Sequence, residues 1–520
     1  VYWYAECLPP KRSALAGRPD NGAVCGYPAE ELRMSGDVVI VLDCGATNIR
    51  AIAVDPAGQV KAKAAVPNAT VPGDENPAWH VWPLDAILDA FATCCRTVCA
   101  ELGTSRVLGL AVTTFGVDGA LVDAQGELLY PIISWKCPRT APVMEAIGRR
   151  IDPARLQIIS GVGAFAFNTL YKLVWLAENR PELLARAHAW LFISSLINHR
   201  FTGRFTTDAT MAGTSQMFDL AGGAFSEEIL SSIGVRAGLF PELVAAGQVV
   251  GPLLPQAAER LGLPAGLPVV SAGHDTQFAL FGSGAGTMQP VLSSGTWEIM
   301  MVRTPRVLIE RLPAFAGSTC ELDSRPGLFN PGVQWLAAGV LEWVRALCWP
   351  GESGASVYQE MVEAARAVLP GCDGVQMTPD LMAGGDGAGH GAWHGLSLNA
   401  GRGHLYRAAL EALAFRLAHR LQTLKEIGQF TPDDLIVVGG GSKNALWNQM
   451  KADVLGLPLQ VPAESETTVL GASRFVFAGV GYFESPEAAR RQVAYRSERY
   501  QPGPQAAAYR ALAERFAAME

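Results

Sequence analysis

The sequence predicts an α/β protein built as two large domains around a cleft. Three observations carry that expectation. The chain has 520 residues, 49% of them hydrophobic and 17% charged, which is more apolar material than one core normally serves. Strand-like and helix-like runs alternate along it, the pattern of layered α/β architecture. A strand, small-residue turn and strand near the start is repeated midway, suggesting a duplicated fold.

From Asp37 the run VVIVLDCGATNIRAIAVD reads as strand, glycine-containing turn and strand, and residues 56–59 turn the chain into a third strand of an antiparallel meander. An amphipathic helix over 84–102 follows, then the strand VLGLAVTTFG, a polar hairpin at 123–126 and the strand LLYPIISW. Helices are expected over 170–179 and 189–200, and LPVVSAGHD is an apolar strand ending in polar residues. The glycine-rich FGSGAGTMQP at 281–290 suits a hinge and marks the domain boundary. PVLSSGTWEIMMV then repeats the opening design. Helices over 333–347, 355–368 and 404–427 come next, and DLIVVGGGSKNALWNQMKADVLGLPL reads strand, glycine-rich turn, helix, strand. The expected division is a non-core extension at 1–33, domains at 34–282 and 283–485, and a tail at 486–520. Residues 1–33 lack periodicity and show no charged region followed by an apolar one, so they do not read as a targeting peptide.

A formal net charge of -8 provides no basic face for a polyphosphate backbone, which argues against nucleic acid as a partner. No window approaches the roughly 20 apolar residues of a membrane span. The ten cysteines are scattered apart from Cys94, Cys95 and Cys99, which form no CxxC pair and read as buried thiols. A cytoplasmic location is the matching expectation.

Four segments carry chemistry. In Asp43-Cys44-Gly45-Ala46-Thr47-Asn48-Ile49-Arg50 the glycine lets backbone amides approach phosphate, Thr47 offers a hydroxyl and Arg50 a planar charged donor, while Asp43 suits Mg²⁺. An ordinary hairpin with a surface Asp and Arg would look similar. Ser293-Ser294-Gly295-Thr296 is a second small-residue turn. Gly439-Gly440-Gly441-Ser442-Lys443-Asn444 joins a strand to a helix N-terminus, where anionic or flat ligands are accommodated. Asp275, in Gly273-His274-Asp275-Thr276, ends an apolar strand, the position favoured by ligand sites in α/β folds, and suits a general base; a helix cap is the plainer alternative. His274 reads as structural. His390 and His394 have i, i+4 spacing, but the surrounding glycines favour a loop over a metal-binding helix. Trp335, Trp343 and Trp349 read as core or interface aromatics.

Together these segments resemble the FGGY family of carbohydrate kinases. FNTLYKLVWLAEN (167–179) is similar to the family's N-terminal-domain signature, and GAWHGL with HLYRAALE (391–396 and 404–411) to its C-terminal one. The resemblance runs from about Val38 to Ser485 and implies the two-domain actin-like ATPase (ribonuclease H-like) fold with an interdomain cleft. It implies ATP and Mg²⁺ as cofactors and a small sugar as substrate. Asp43 then matches a magnesium site, Thr47, Arg50 and Thr296 phosphate contacts, and Gly440 and Asn444 the adenine-side loop. Asp275 matches the catalytic base, which also meets the substrate, while Asp118 in GVDG and Trp135 in SWKCPRT match sugar-binding positions. Ala46 and Val438 depart from residues common in the family. The segments TTFGVDGALVDAQGELLYPIISWKCPRT and AGSTCELDS resemble members that phosphorylate L-fuculose, so the implied product is L-fuculose 1-phosphate. A kinase of another ketose, such as L-rhamnulose or a pentulose, and an actin-like ATPase without sugar kinase activity are the competing expectations. No oligomeric state is read from the sequence.

Overall fold

The structure is a computed structural model describing residues 36–517 except 105, 353, 383–388 and 465; the expectation for residues 1–33 lies outside the described residues. Its first half is built on a six-stranded sheet. The strands are β1 (Val38–Cys44), β2 (Asn48–Val54), β3 (Val60–Pro67), β4 (Val107–Thr114), β5 (Val249–Pro252) and β6 (Pro268–His274), in the order β5-β6-β4-β1-β2-β3. β1 pairs antiparallel with β2 and parallel with β4, and β4 pairs parallel with β6. The unbroken run VVIVL follows from burial on both faces. Ile40 and Leu42 enter the core that also holds Ile87 and Phe91 of α1 (Leu84–Leu102), while Val39 and Val41 enter a separate core on the opposite face.

The second half repeats the plan with seven strands: β7 (Val291–Ser294), β8 (Trp297–Met301), β9 (Ser318–Leu322), β10 (Phe329–Leu336), β11 (Leu435–Val438), β12 (Leu459–Pro462) and β13 (Ser497–Tyr500). Their order is β9-β10-β8-β7-β11-β12-β13. β7 is antiparallel to β8 and parallel to β11, and β11 is parallel to β12. The strings β3-β2-β1-β4-β6 and β10-β8-β7-β11-β12 therefore share one topology, and the suspected duplication is structural. The segment expected as a tail contributes β13 to the sheet edge and α9 (Ala506–Ala517), whose Tyr509 is buried.

Between the elements of the sheets lie α2 (Thr169–Asn179), α3 (Ile193–Thr202), α4 (Asp275–Gly282), α5 (Ala338–Cys348), α6 (Arg402–Gly428), α7 (Ala445–Leu455) and α8 (Thr467–Gly479). α4 leads out of the first half into β7. α8 comes late in the chain, yet Val469, Ala472, Phe475 and Val476 join Val39, Val41 and Ile52 in the core beneath the first sheet. α4 and α8 cross at Gly282 and Gly471, where a Cβ on either would collide with the other helix's backbone.

Three sequence expectations are corrected. Residues 189–200 are not one helix: Ala189–Phe192 is a strand paired antiparallel with Gly119–Val122, and the helix begins at Ile193. Residues 333–336 continue β10, a strand paired on both sides, so the helix starts only at Ala338. The strand expected across 128–135 shrinks to Ile132–Ile133. In the first two, tertiary pairing of aromatic and β-branched residues outweighs a helical pattern that begins next door. His394 lies in a short strand, Ala392–His394, not on a helix.

Candidate active site

Parallel register assembles the first half of the site. Asp43 stands opposite Thr113, and Thr113 opposite Gly273, so the carboxyl ends of β1, β4 and β6 come level. Asp43, the turn at Gly116 to Asp118 and Asp275 all leave from that edge, the usual ligand side of such sheets. Gly273 has φ +114, and a Cβ there would collide with the Asp208 carboxylate. Asp275 opens α4; its Oδ1 accepts from Thr276 N (2.6 Å) and Thr276 Oγ1 (3.2 Å). Its side chain keeps 31% exposure. Burial within the cleft raises the Asp275 carboxyl above the usual range, with the Asp43 carboxylate adding to that and His274 opposing it. A carboxylate whose proton affinity is raised is better able to take a proton from an alcohol.

Thr47 lies exposed in the β1–β2 turn, closed by Gly45 N donating to Asn48 O (2.9 Å). Arg50 sits across from Asp43 on β2. Its Nε and Nη2 both donate to Asp43 Oδ2 (2.9 and 2.6 Å), and Nη1 reaches Glu466 Oε2 at 2.5 Å. The guanidinium thus ties the first half to the segment entering α8. Asp43 Oδ1 accepts from Thr113 Oγ1 (2.9 Å). Among the described residues no cluster of three or more His, Cys, Asp or Glu is arranged to hold a metal.

The second half supplies the matching turn. Thr296 is exposed between β7 and β8, and its carbonyl accepts from Ala337 N and Gly339 N. Beneath it Ser294 Oγ donates to Glu298 Oε1 (2.8 Å), and Lys451 Nζ, fully buried on α7, binds the same oxygen (2.5 Å). Gly439, at φ +90, packs so closely on the Ser294 carbonyl that a Cβ would collide. A Cβ at Gly440 would meet no atom within 4 Å, so the space beside it is open. Asn444 caps α7 through Oδ1, which accepts from Trp447 N (3.1 Å). A cavity of about 890 Å³ is lined by Thr296, Tyr358, Tyr406, Gly440, Asn444 and Trp447, within the usual size of a small-molecule site. On the other side of the same glycine loop a cavity of about 830 Å³ includes Ser293, Lys443 and Thr276, the neighbour of Asp275.

Asp118 is fully buried. Its Oδ1 is bound by Lys172 Nζ, and its Oδ2 accepts from Trp82 Nε1 (2.7 Å) and Trp135 N (3.0 Å). Burial drives the Asp118 carboxyl upward and the Lys172 ammonium downward, each opposed by its partner. Val117 beside it has φ 66, a strained conformation for a β-branched residue. Two donors from α2, Thr169 Oγ1 (2.7 Å) and Lys172 Nζ (2.9 Å), hold its carbonyl. The FNTLYKL pattern therefore clamps this turn. Trp135 lies edge-on to Phe167 (6.4 Å between centroids), and its buried Nε1 has no hydrogen-bond partner among the described residues.

The structure thus brings Asp43, Thr47, Arg50, Asp118 and Asp275 to one sheet edge, and Thr296, Gly440 and Asn444 to the second half's cavity. Lys172, Glu298, Lys451 and Glu466 were missed by sequence reasoning. Lys172 had a signal, a lysine inside an otherwise apolar helical run; the others join only in three dimensions.

Models for the N-terminal and C-terminal domains of the FGGY family of carbohydrate kinases match residues 38–282 and 291–479. The chain is 59% identical over 469 residues to an L-fuculokinase of Escherichia coli O157:H7, covering 90% of this chain and 98% of that protein. It is 42% identical to an L-fuculokinase of Haemophilus influenzae, covering 89% and 99%. Among solved structures, a xylulose kinase from Rhodospirillum rubrum superposes with a TM-score of 0.84 at 25% identity, covering 93% of this chain and 98% of that one.

Proposed function

Because the chain belongs to the FGGY family of carbohydrate kinases, we propose that it transfers the γ-phosphoryl group of ATP to the C1 hydroxyl of L-fuculose, giving L-fuculose 1-phosphate and ADP. The observation that carries the substrate is the 59% identity to an L-fuculokinase across nearly all of both chains. The site supports the chemistry. Phosphoryl transfer asks mainly for positioning and charge neutralisation. Asp275 accepts the proton of the attacking hydroxyl, and the amides and hydroxyls of the Thr47 and Thr296 turns receive the phosphates. The cavity between Tyr358, Tyr406 and Asn444 accommodates the nucleoside. Trp135 matches a sugar-lining position, its buried N–H without a partner among the described residues; Asp118, held by three donors, acts by holding the Trp135 backbone and the Val117 turn.

For Mg²⁺ the site offers one carboxylate, Asp43, at the cleft edge. The Asp43 carboxylate lies close enough to Asp275 to raise it, and this cation is commonly held by one or two carboxylates together with substrate phosphates. Asp43 would hold it, and it would neutralise phosphate charge.

The test is ADP release over L-fuculose, L-rhamnulose, D-xylulose and glycerol. L-Fuculose is expected to give the highest kcat/KM, since sites that pair buried polar groups with particular hydroxyls reject sugars lacking them. A higher kcat/KM for L-rhamnulose would overturn the substrate and leave the family standing.

A further inference from the structure

Glu321, on β9 of the second half, points into the first half. Its side chain is 12% exposed, and its partners among the described residues include Thr214, His274 and Gln277 of the first half. Oε1 accepts from Thr214 Oγ1 (3.1 Å), Oε2 accepts from Gln277 Nε2 on α4, and Oε2 lies 3.3 Å from His274 Nδ1, within ion-pair distance but outside hydrogen-bond geometry. Asn330 Nδ2 in turn donates to Gln277 Oε1. The other ring nitrogen of His274, Nε2, lies 3.6 Å from Asp275 Oδ1.

The imidazole has little freedom. Its backbone N–H donates to Thr210 Oγ1 (2.9 Å), and Gly116 packs so close that a Cβ there would approach Nε2 within 2.8 Å. Burial works against the imidazolium, but Glu321 and then Asp275 carry its proton affinity above the ordinary histidine value. A carboxylate from one half, an imidazole and the base of the other half therefore stand in line. An isolated carboxylate at this depth would be costly; two donors from the opposite half and the imidazole beside them compensate it.

We propose that Glu321 is a positioning residue for phosphoryl transfer: it fixes the His274 ring so that Nε2 faces Asp275, tying the orientation of the base to the seating of the second half on the first. This rests on the kinase reading above. The site aligns its base only where β9 is docked, through Cys320 N donating to Gly161 O (2.7 Å) and Gln157 Nε2 donating to Ser318 O (3.0 Å). A substrate hydroxyl then meets a carboxylate already aimed, which is where a positioning residue acts on rate rather than on affinity.

The experiment compares wild type, Glu321→Gln, His274→Asn and the double variant, each for kcat, for KM of ketose and MgATP, and for thermal unfolding. Glu321→Gln keeps the shape and hydrogen-bonding capacity toward Thr214 but removes the charge facing His274. Its kcat is expected to fall roughly tenfold, with both KM values within about threefold, and the double variant is expected to be no worse than His274→Asn alone, because coupled neighbours are non-additive. Multiplying losses in the double variant, or a lowered melting temperature with unchanged kcat, would overturn the proposal. A wild-type chain that phosphorylates no ketose would sink the kinase reading and this inference together. An active wild type with an unimpaired Glu321→Gln would sink the inference alone.

Discussion

Asp275, half-buried, and Asp208, fully buried, lie at the same strand ends, but their neighbours differ. Asp275 faces the cleft, so replacing it by Asn keeps shape and the bonds from Thr276 while removing the carboxylate proposed as proton acceptor. We expect kcat to fall by about 10² to 10⁴, the usual contribution of a positioned base, with MgATP-induced thermal stabilisation retained. Equal loss of stability and binding would identify Asp275 as a cap only. Asp208 faces inward, receives Thr210 N, Thr210 Oγ1 and Ser271 Oγ, and has its carboxyl pushed up to about 6 by burial. A carboxyl raised in the folded state binds a proton there that the unfolded chain releases near pH 4. Its contribution is thus fully present below about pH 4 and is lost as pH rises through about 6, a difference of roughly 3 kcal/mol. Thermal unfolding of wild type and Asp208→Asn should diverge across that window, wild type losing ground as pH rises. A constant difference from pH 4 to 8 would mean that Asp208 does not titrate there.

At the scale of elements, the crossing of α4 and α8 is set by glycine. Alanine in a helix interior is normally favoured over glycine by about 1 kcal/mol, yet a Cβ at Gly471 would collide with the Phe278 carbonyl, a backbone atom that cannot rotate away. Overpacking wins, and Gly471→Ala is expected to destabilise by about 1–3 kcal/mol, read as a lowered melting temperature. A neutral or stabilising result would mean that the helices separate at no cost. The apolar strand before Asp275 was legible in the sequence, but no helix was expected over Thr467–Gly479, and its contact with α4 joins residues nearly 200 positions apart that nothing local announces. The same holds at the site. The turn positions of Gly45, Thr47 and Gly440 and the strand-end position of Asp275 were readable because turns and strand ends have local chemistry. Glu321, Glu466 and Lys451 were not, since an acidic residue in a strand, before a helix, or a lysine within one looks solvent-facing until its partner is known. The helix expected over 189–200 failed for the related reason that Trp190 and Leu191 found a strand partner in residues 119–122.

Across the whole molecule the two halves are built on one topology but are not independent. Arg50 reaches Glu466, Glu321 reaches His274, and α8 forms the floor of the first sheet. The last of these has a consequence for how the protein comes into being. A ribosome delivers the first half complete by Gly282, but the helix that covers Val39, Val41, Ile52 and Val270 ends only at Gly479, a further 479 − 282 = 197 residues later. At roughly 5–20 residues per second that interval is about 10–40 s. Throughout it the nascent first half carries an apolar sheet face that Phe278 and Phe281 of α4 shield only in part, so the late arrival of α8 makes this stretch of synthesis the time when the chain most needs a chaperone's cover.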